Sequence, residues 1–403
     1  MAERVKALRV ETSQGTAGTL HRESQFIFRY SEEALARPET AISLTMPPRP
    51  EGYVTNRLMP ALAMNLPEGF LLDRVRDRYR KVLDVTDDMN LLALTSTPNS
   101  GRVWAVHSGA SAPVSRMTLR QILAAKGTEH LFDQLVETFA MSSSISGVQP
   151  KVVAPLSEAD VVERDRSAVE RPAIKVPEFI IKAAGVEYPG LPENEFHCMS
   201  IAKTIGIPVP EFWLSDDHSL FVIKRFDILP GGGYAGFEDM ASLTGRHPSK
   251  KYDGTYAIVA RALRDFCSPT HGTRSVEQFF RQLVLCCLLE NGDAHLKNWG
   301  VLYGNPATAA LDAAISPAFD IVSTTAFIPD DTLALSLNRT KAWPDRSALE
   351  TFARDHCGIP EPARMIDELL ESAFSYAPQE PTEMWARIAS AMERQRPRLQ
   401  AAR

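Results

Sequence analysis

Asn291-Gly292-Asp293-Ala294-His295-Leu296-Lys297-Asn298 is the stretch whose reading decides the fold. It follows an apolar run, Phe279 to Leu289 (FFRQLVLCCLL), which predicts a buried helix and so places the polar groups on a loop held by rigid structure. Four residues separate Asp293 from Asn298. In a phosphoryl-transfer loop that Asp-x-x-x-x-Asn spacing lets a carboxylate accept the proton of an attacking hydroxyl while a carboxamide holds a magnesium ion. The same residues also fit a polar turn that stops the helix, with Asn291-Gly292 as its cap. The rest of the chain has to decide.

Downstream, after the strand-like Trp299 to Tyr303 and a short linker, Ser316-Pro317-Ala318-Phe319-Asp320 places an aspartate after an aromatic residue and before Ile321 and Val322. It reads as a second metal-binding carboxylate or as an Asx-turn residue after proline. Magnesium takes carboxylate and amide oxygens together with phosphates and waters, so Asn298 and Asp320 make a chemically sensible pair. Upstream, Phe179-Ile180-Ile181-Lys182 predicts an apolar strand on which Ile180 and Lys182 share a face. Lys182 is either a phosphate-binding ammonium paired with Glu195 of the next helix, or an edge lysine that snorkels to water. Further upstream, Ser142 to Lys151 (SSSISGVQPK) offers a loop in which Gly147 permits close backbone approach to phosphates; the alternative is a serine-rich turn. In order along the chain these pieces point to a phosphotransferase.

Strand-like alternation dominates the first part of the chain. It appears at Val5 to Val10, Gln25 to Tyr30, Val103 to Val106, Val152 to Ala154, and in a hairpin of Glu211 to Leu214 with Leu220 to Phe226. Asn56 to Val82 and Leu119 to Ala140 read as helical, and Glu158 to Arg171 as a charged surface loop. Pro230-Gly231-Gly232-Gly233 breaks the composition, and beyond it the pattern is largely helical: Tyr256 to Phe266, Ser275 to Glu290, Ala348 to Asp355, Glu361 to Ala377 and Pro381 to Arg396. Strands first and helices after predict two lobes with a cleft between them.

Composition sets bounds. With 403 residues, 44% hydrophobic and 23% charged, the chain has the make-up of a globular protein of two or three domains. A net charge of −6 gives no support for a broad grip on nucleic acid. Five cysteines without a CxxC spacing, two of them adjacent within the apolar helix, predict reduced thiols packed in a core and a cytoplasmic setting. MAERVKALRV has no apolar signal region, and the longest apolar run, Leu283 to Leu289, is far short of the ~20 residues that span a bilayer. No zinc spacing and no GxSxG elbow are present.

Taken together the chain resembles the HipA-like serine/threonine kinases, toxins of bacterial toxin–antitoxin modules. Ser144-Ile145-Ser146-Gly147-Val148-Gln149-Pro150-Lys151 is similar to that family's S-I-x-G-x-Q-x-K loop. Ile180-Ile181-Lys182, Asn194-Glu195-Phe196, Arg225-Phe226-Asp227, Glu238-Asp239-Met240, Asn291 to Asn298 and Pro317 to Asp320 match in order and spacing. Asn65-Leu66-Pro67 with the proline-rich loop before it extends the likeness to the N-terminal unit.

The resemblance implies an α+β, two-lobed protein-kinase-like fold with an added N-terminal subdomain and an all-helical C-lobe. Residues 1–135 would form the N-terminal subdomain, 136–229 the kinase N-lobe with its phosphate loop, and 230–403 the C-lobe. ATP and magnesium are the implied cofactors. Asp293 would be the catalytic base, Asn298 and Asp320 the metal ligands, and Lys182 the phosphate-binding lysine paired with Glu195. Ser146, Gly147, Val148, Gln149, Pro150 and Lys151 would form the phosphate loop, His295 and Lys297 would line the phosphates, Lys224, Arg225 and Phe226 the adenine, and Leu296 and Phe319 would also contact ATP. Ser144, with Ser146 as a second candidate, matches the serine that relatives autophosphorylate to silence themselves. The implied substrate is an aminoacyl-tRNA synthetase, glutamyl-tRNA synthetase in the best-known members. The implied partner is a HipB-like helix-turn-helix antitoxin, with DNA reached only through that complex. The chain departs from the pattern at Lys224, where Glu is common, and at Pro150, which removes an N–H donor from the phosphate loop. Two rival readings remain: a kinase for a small hydroxylated molecule, and a catalytically silent co-repressor bound to the antitoxin.

Overall fold

The structure, a computed structural model, describes residues 5–68, 72–73, 75–76, 79, 84–94, 100–106, 119–124, 151–154, 178–184 and 187–400. The loop residues Ser144, Ser146, Gly147, Val148, Gln149 and Pro150, most of the helix read over 119–140, and the charged segment 158–171 lie outside the described residues. For Lys151 the strand placement alone is described.

The N-terminal unit is built on an antiparallel sheet of β1 (Ala7–Thr12), β2 (Gly15–Arg22), β3 (Phe26–Tyr30), β4 (Tyr53–Thr55) and β5 (Val103–Val106), in the order β4-β3-β2-β1-β5. Period-two alternation buries Leu8, Val10, Phe26, Phe28 and Tyr30 on one face. The helical pattern expected from Asn56 begins only at Pro60: Pro60–Ala63 is one turn after an extended Met59, because proline fits a first turn that needs no N–H.

A second antiparallel sheet joins β6 (Lys151–Ala154), β7 (Phe179–Ala183), β8 (Phe212–Leu214) and β9 (Leu220–Lys224) in the order β6-β7-β9-β8. Its two faces do different work. Phe179, Ile181, Leu220 and Val222 pack into the core of the N-terminal unit. Phe221 and Ile223, with Ile180 against them, belong to the core of the C-terminal part. Lys182 pairs with Phe221 in register and so shares that second face. Helix α1 (Leu191–Thr204) follows, opened by Gly190 at φ +80° and Pro192 in its first turn, and stopped before Gly206.

The C-terminal part centres on α3 (Gly272–Leu288), packed by α2 (Tyr256–Phe266), α4 (Pro362–Phe374) and α5 (Glu383–Leu399). Phe279, Phe280, Leu283, Cys286 and Cys287 are fully buried there, and all five cysteines are free. The expectation of an all-helical C-lobe needs one correction. β10 (Gly236–Asp239), β11 (Gly300–Tyr303) and β12 (Ala314–Ile315) form a small antiparallel sheet inside it. Gly236 and Gly300 make it possible: a Cβ on Gly300 would stand 2.3 Å from the Phe237 ring, and one on Gly236 2.1 Å from Tyr303. No helix among the described residues is long and apolar enough to cross a membrane.

Candidate active site

The loop after α3 begins at a strained residue. Glu290 has φ +50°, a conformation that costs a non-glycine residue ~1–3 kcal/mol unless its surroundings hold it. Its buried carboxylate accepts hydrogen bonds from Arg394 and Gln395 of α5 and from Thr325, at 2.5, 2.7 and 2.5 Å. The left-handed residue that ends the helix is therefore Glu290 rather than Gly292. Gly292 is required for another reason: a Cβ there would lie 2.6 Å from the backbone carbonyl oxygen of Thr332. Beyond it, His295 caps a turn over Leu296–Asn298. Its Nδ1 accepts Lys297 N–H, and Asn298 Oδ1 accepts His295 N–H at 3.0 Å. Burial and the field of Lys251 push His295 down to about 3, so it stands neutral with its proton on Nε2, 4.0 Å from Asp293 Oδ1. It thus faces the site as a neutral donor and not as a phosphate-binding cation. Leu296 is fully buried in the C-lobe core and does not line the cleft, which removes its side chain from the nucleotide contacts expected of it.

The residues singled out on four separate elements meet. Lys182 Nζ lies 2.6 Å from Glu195 Oε1 of α1 and 2.7 Å from Asp320 Oδ1. Asn298 Nδ2 donates to the other oxygen of Asp320 at 2.8 Å. Asp320 adopts φ +59°, which aspartate tolerates better than most residues, and a quarter of its side chain faces the cavity. Burial alone would lower the Lys182 ammonium, but the Asp320 and Glu195 carboxylates outweigh it and hold its pKa above the usual lysine value. The snorkelling alternative for Lys182 is not what the structure shows, since its side chain is 5% exposed.

Of these groups, Lys182 and Asp320 border a cavity of about 430 Å³ between the second sheet and the C-terminal part, with Glu195 and Asn298 behind them. One wall is aromatic: Phe226, Phe237 and Phe319 pack ring against ring at 5.3–5.9 Å. Lys224, Arg225 and Phe226 all border the cavity, but the Arg225 guanidinium is held by both oxygens of Asp227 at 2.9 and 2.6 Å, and Asp227 also accepts Gly101 N–H. The Phe226 ring beside it faces the cavity. Asp293 lies at the open side with its carboxylate 43% exposed, and Tyr252 Oη donates to it at 2.5 Å. Among the described residues no group of three His, Cys, Asp or Glu side chains could hold a metal. Magnesium bound with a nucleotide asks for only one or two protein oxygens. Asp320 fits that demand, and Asn298 joins it once its amide turns its oxygen outward from His295 N–H.

Glu68 and Lys251 contribute to the site with no local signal in the sequence. Lys297 Nζ pairs with Glu68 of the N-terminal unit at 2.8 Å, Lys251 pairs with the same carboxylate at 3.1 Å, and Asp239 lies 3.7 Å from Lys297. Burial raises Glu68, but the two lysines outweigh it and hold it at about 2. A carboxylate depressed in this way stabilises the fold above its unfolded pKa and loses that contribution as pH falls through its folded one. Glu68→Gln is therefore expected to lower unfolding free energy at pH 7 by about 2–3 kcal/mol. In chemical denaturation the difference from wild type should shrink as pH falls from about 4.5 to about 2. An equal difference at both ends of that range would contradict the assignment.

Two family models match the chain with this site inside them. Residues 8–106 match the HipA N-terminal domain and residues 143–377 the HipA-like C-terminal domain. The chain belongs to the HipA family. Among its relatives, the "Putative kinase Y4dM" of Sinorhizobium fredii (strain NBRC 101917 / NGR234) is 40% identical over 179 residues, covering 40% of this chain and 42% of that protein. A "Putative kinase" of Haemophilus influenzae is 27% identical over 194 residues, 45% of this chain and 52% of that one. The chain thus spans about half the length of the curated relatives it matches. The fold is that of the HipA chain in the Shewanella oneidensis MR-1 toxin–antitoxin complex of HipA, HipB and operator DNA. The TM-score is 0.70 at 18% identity, over 97% of this chain and 96% of that one.

Proposed function

We propose that this HipA-family chain is an ATP-dependent serine/threonine kinase acting as the toxin of a toxin–antitoxin module. The observation that carries the reading is Lys182, buried between Glu195 and Asp320, with Asn298 on the second oxygen of Asp320. Phosphoryl transfer asks little covalent chemistry of a protein and much positioning and charge, and this arrangement supplies both. Lys182 would hold nucleotide phosphates, and Glu195 keeps its ammonium aimed at the cleft. Asp320 and Asn298 would hold magnesium, whose contribution is to neutralise the phosphate charge. The aromatic wall of Phe226, Phe237 and Phe319 suits an adenine ring. Asp293 takes the proton of the acceptor hydroxyl, with neutral His295 beside it.

The substrate we propose is an aminoacyl-tRNA synthetase and the partner a HipB-like helix-turn-helix antitoxin. The HipA relative of known structure is in complex with HipB and operator DNA, which supports the partner. Self-phosphorylation at Ser144 or Ser146 would silence the enzyme, because a dianionic phosphate beside ATP phosphates is strongly repelled. The test is intact mass after incubation with ATP and magnesium. Wild type should gain phosphate and the Asp293→Asn variant should not. No gain in either, with no phosphate already present, would count against self-modification.

A further inference from the structure

The carboxylate that takes the acceptor's proton already holds a hydroxyl. Tyr252 Oη lies 2.5 Å from Asp293 Oδ1, within the reach a base needs to the proton it abstracts. The phenol comes from the turn before α2, and its ring stands edge-on to His295 with centroids 5.0 Å apart. That turn is fixed to the catalytic loop. Lys251 carbonyl oxygen accepts Leu296 N–H at 3.1 Å, the Lys251 ammonium pairs with Glu68, and Gly254 lies so close that a Cβ would come 3.3 Å from Leu296. Tyr252 is 41% exposed and borders the cavity, so rotation of the side chain moves the ring while the turn stays. Burial and the Asp293 carboxylate push the phenol well above its ordinary pKa, which keeps it a protonated donor.

We propose that Tyr252 occupies the acceptor-hydroxyl position at Asp293 Oδ1 in the resting site and competes there with water until an acceptor side chain displaces it. The inference rests on the phosphoryl-transfer reading and adds a determinant of specificity to it. With ATP bound and no acceptor, the competing reaction is hydrolysis. A bond forms between water oxygen and the γ-phosphorus, the bond from that phosphorus to the β-γ bridging oxygen breaks, ADP leaves with the electron pair, and Asp293 takes the water proton. The phenol competes with that water for Asp293 Oδ1. A serine or threonine on a docked protein brings binding energy to displace the ring, whereas water brings none.

The experiment measures ADP release from ATP and magnesium alone, over many turnovers, for wild type, Tyr252→Phe, Asp293→Asn and the double variant of the whole chain. Counting many turnovers excludes the few phosphates a self-modified chain can hold. Tyr252→Phe keeps the ring and removes the hydroxyl, so release should rise about tenfold, the scale of one hydrogen bond to a charged group. The rise should vanish in the double variant, which a merely structural role for Tyr252 would not produce. An unchanged or lower rate in Tyr252→Phe, or a rise that survives loss of Asp293, overturns the inference. ATP titration of wild type separates this from failure of the wider reading. A wild type that does not bind ATP sinks both, and one that binds ATP while Tyr252→Phe releases ADP no faster sinks only the role of Tyr252.

Discussion

Asparagine at position 293 is expected to slow phosphoryl transfer by ~10²–10⁴-fold, the range over which a positioned general base acts. The change is isosteric and leaves the loop its shape. Asp293 N–H donates to Asn291 Oδ1 through the backbone, the Glu290 network lies outside it, and the side chain is half exposed, so little stability is at stake. ATP affinity should stay near the wild-type value, because in the proposed mechanism Asp293 would meet the acceptor while Lys182, Asn298 and Asp320 would meet the nucleotide. Transfer of labelled phosphate from γ-labelled ATP is the measurement. A variant as fast as wild type would remove Asp293 from the mechanism.

Lys182→Met tests the other half of the site and should damage it twice. Glu195 is fully buried, and losing the ammonium that neutralises it leaves a buried charge, which costs ~3–5 kcal/mol. The Lys182 contribution is constant across neutral pH: its folded pKa is raised, so the stability is present below its unfolded pKa and is lost only as pH rises through the folded one. Adding Glu195→Gln to the Met variant removes the orphaned charge and should return most of the stability. It should not return ATP affinity, since the phosphate-binding ammonium is still missing. Denaturation and ATP titration on the same three proteins read the two effects apart. If the double variant recovers both, Lys182 serves only the fold.

The parts of the site that the sequence reveals are those at the ends of strong elements. Asp293 to Asn298 follow an unmistakable apolar helix, Lys182 closes an apolar strand, and Glu195 opens a helix that glycine and proline punctuate. Asp320 follows Phe319 at a proline-marked turn. Their order along the chain carries the information, and the fold then brings them within hydrogen-bond distance. What the sequence hides is set by burial and by long-range contact. His295 is visible as a residue, but its neutrality comes from being enclosed beside Lys251. Glu68 meets Lys297 across 229 positions and Lys251 across 183, with no periodicity to announce either pair. Tyr252 reaches Asp293 across 41 positions from a turn that reads as ordinary polar loop. The sheet inside the C-lobe is only partly legible: Trp299 to Tyr303 reads as a strand, but its partners of four and two residues are too short for alternation to show. Arg225 shows the reverse case, a cation bordering the cavity that the fold commits to Asp227.

The central claim is that Lys182, Asn298 and Asp320 gather a metal-bound triphosphate in the cleft between the lobes. Titrating wild type with ATP and with adenosine, each with and without magnesium, tests it most directly. ATP should bind more tightly with magnesium than without, and adenosine should be indifferent to the metal. ATP binding that ignores magnesium, or that matches adenosine in both conditions, would contradict the account.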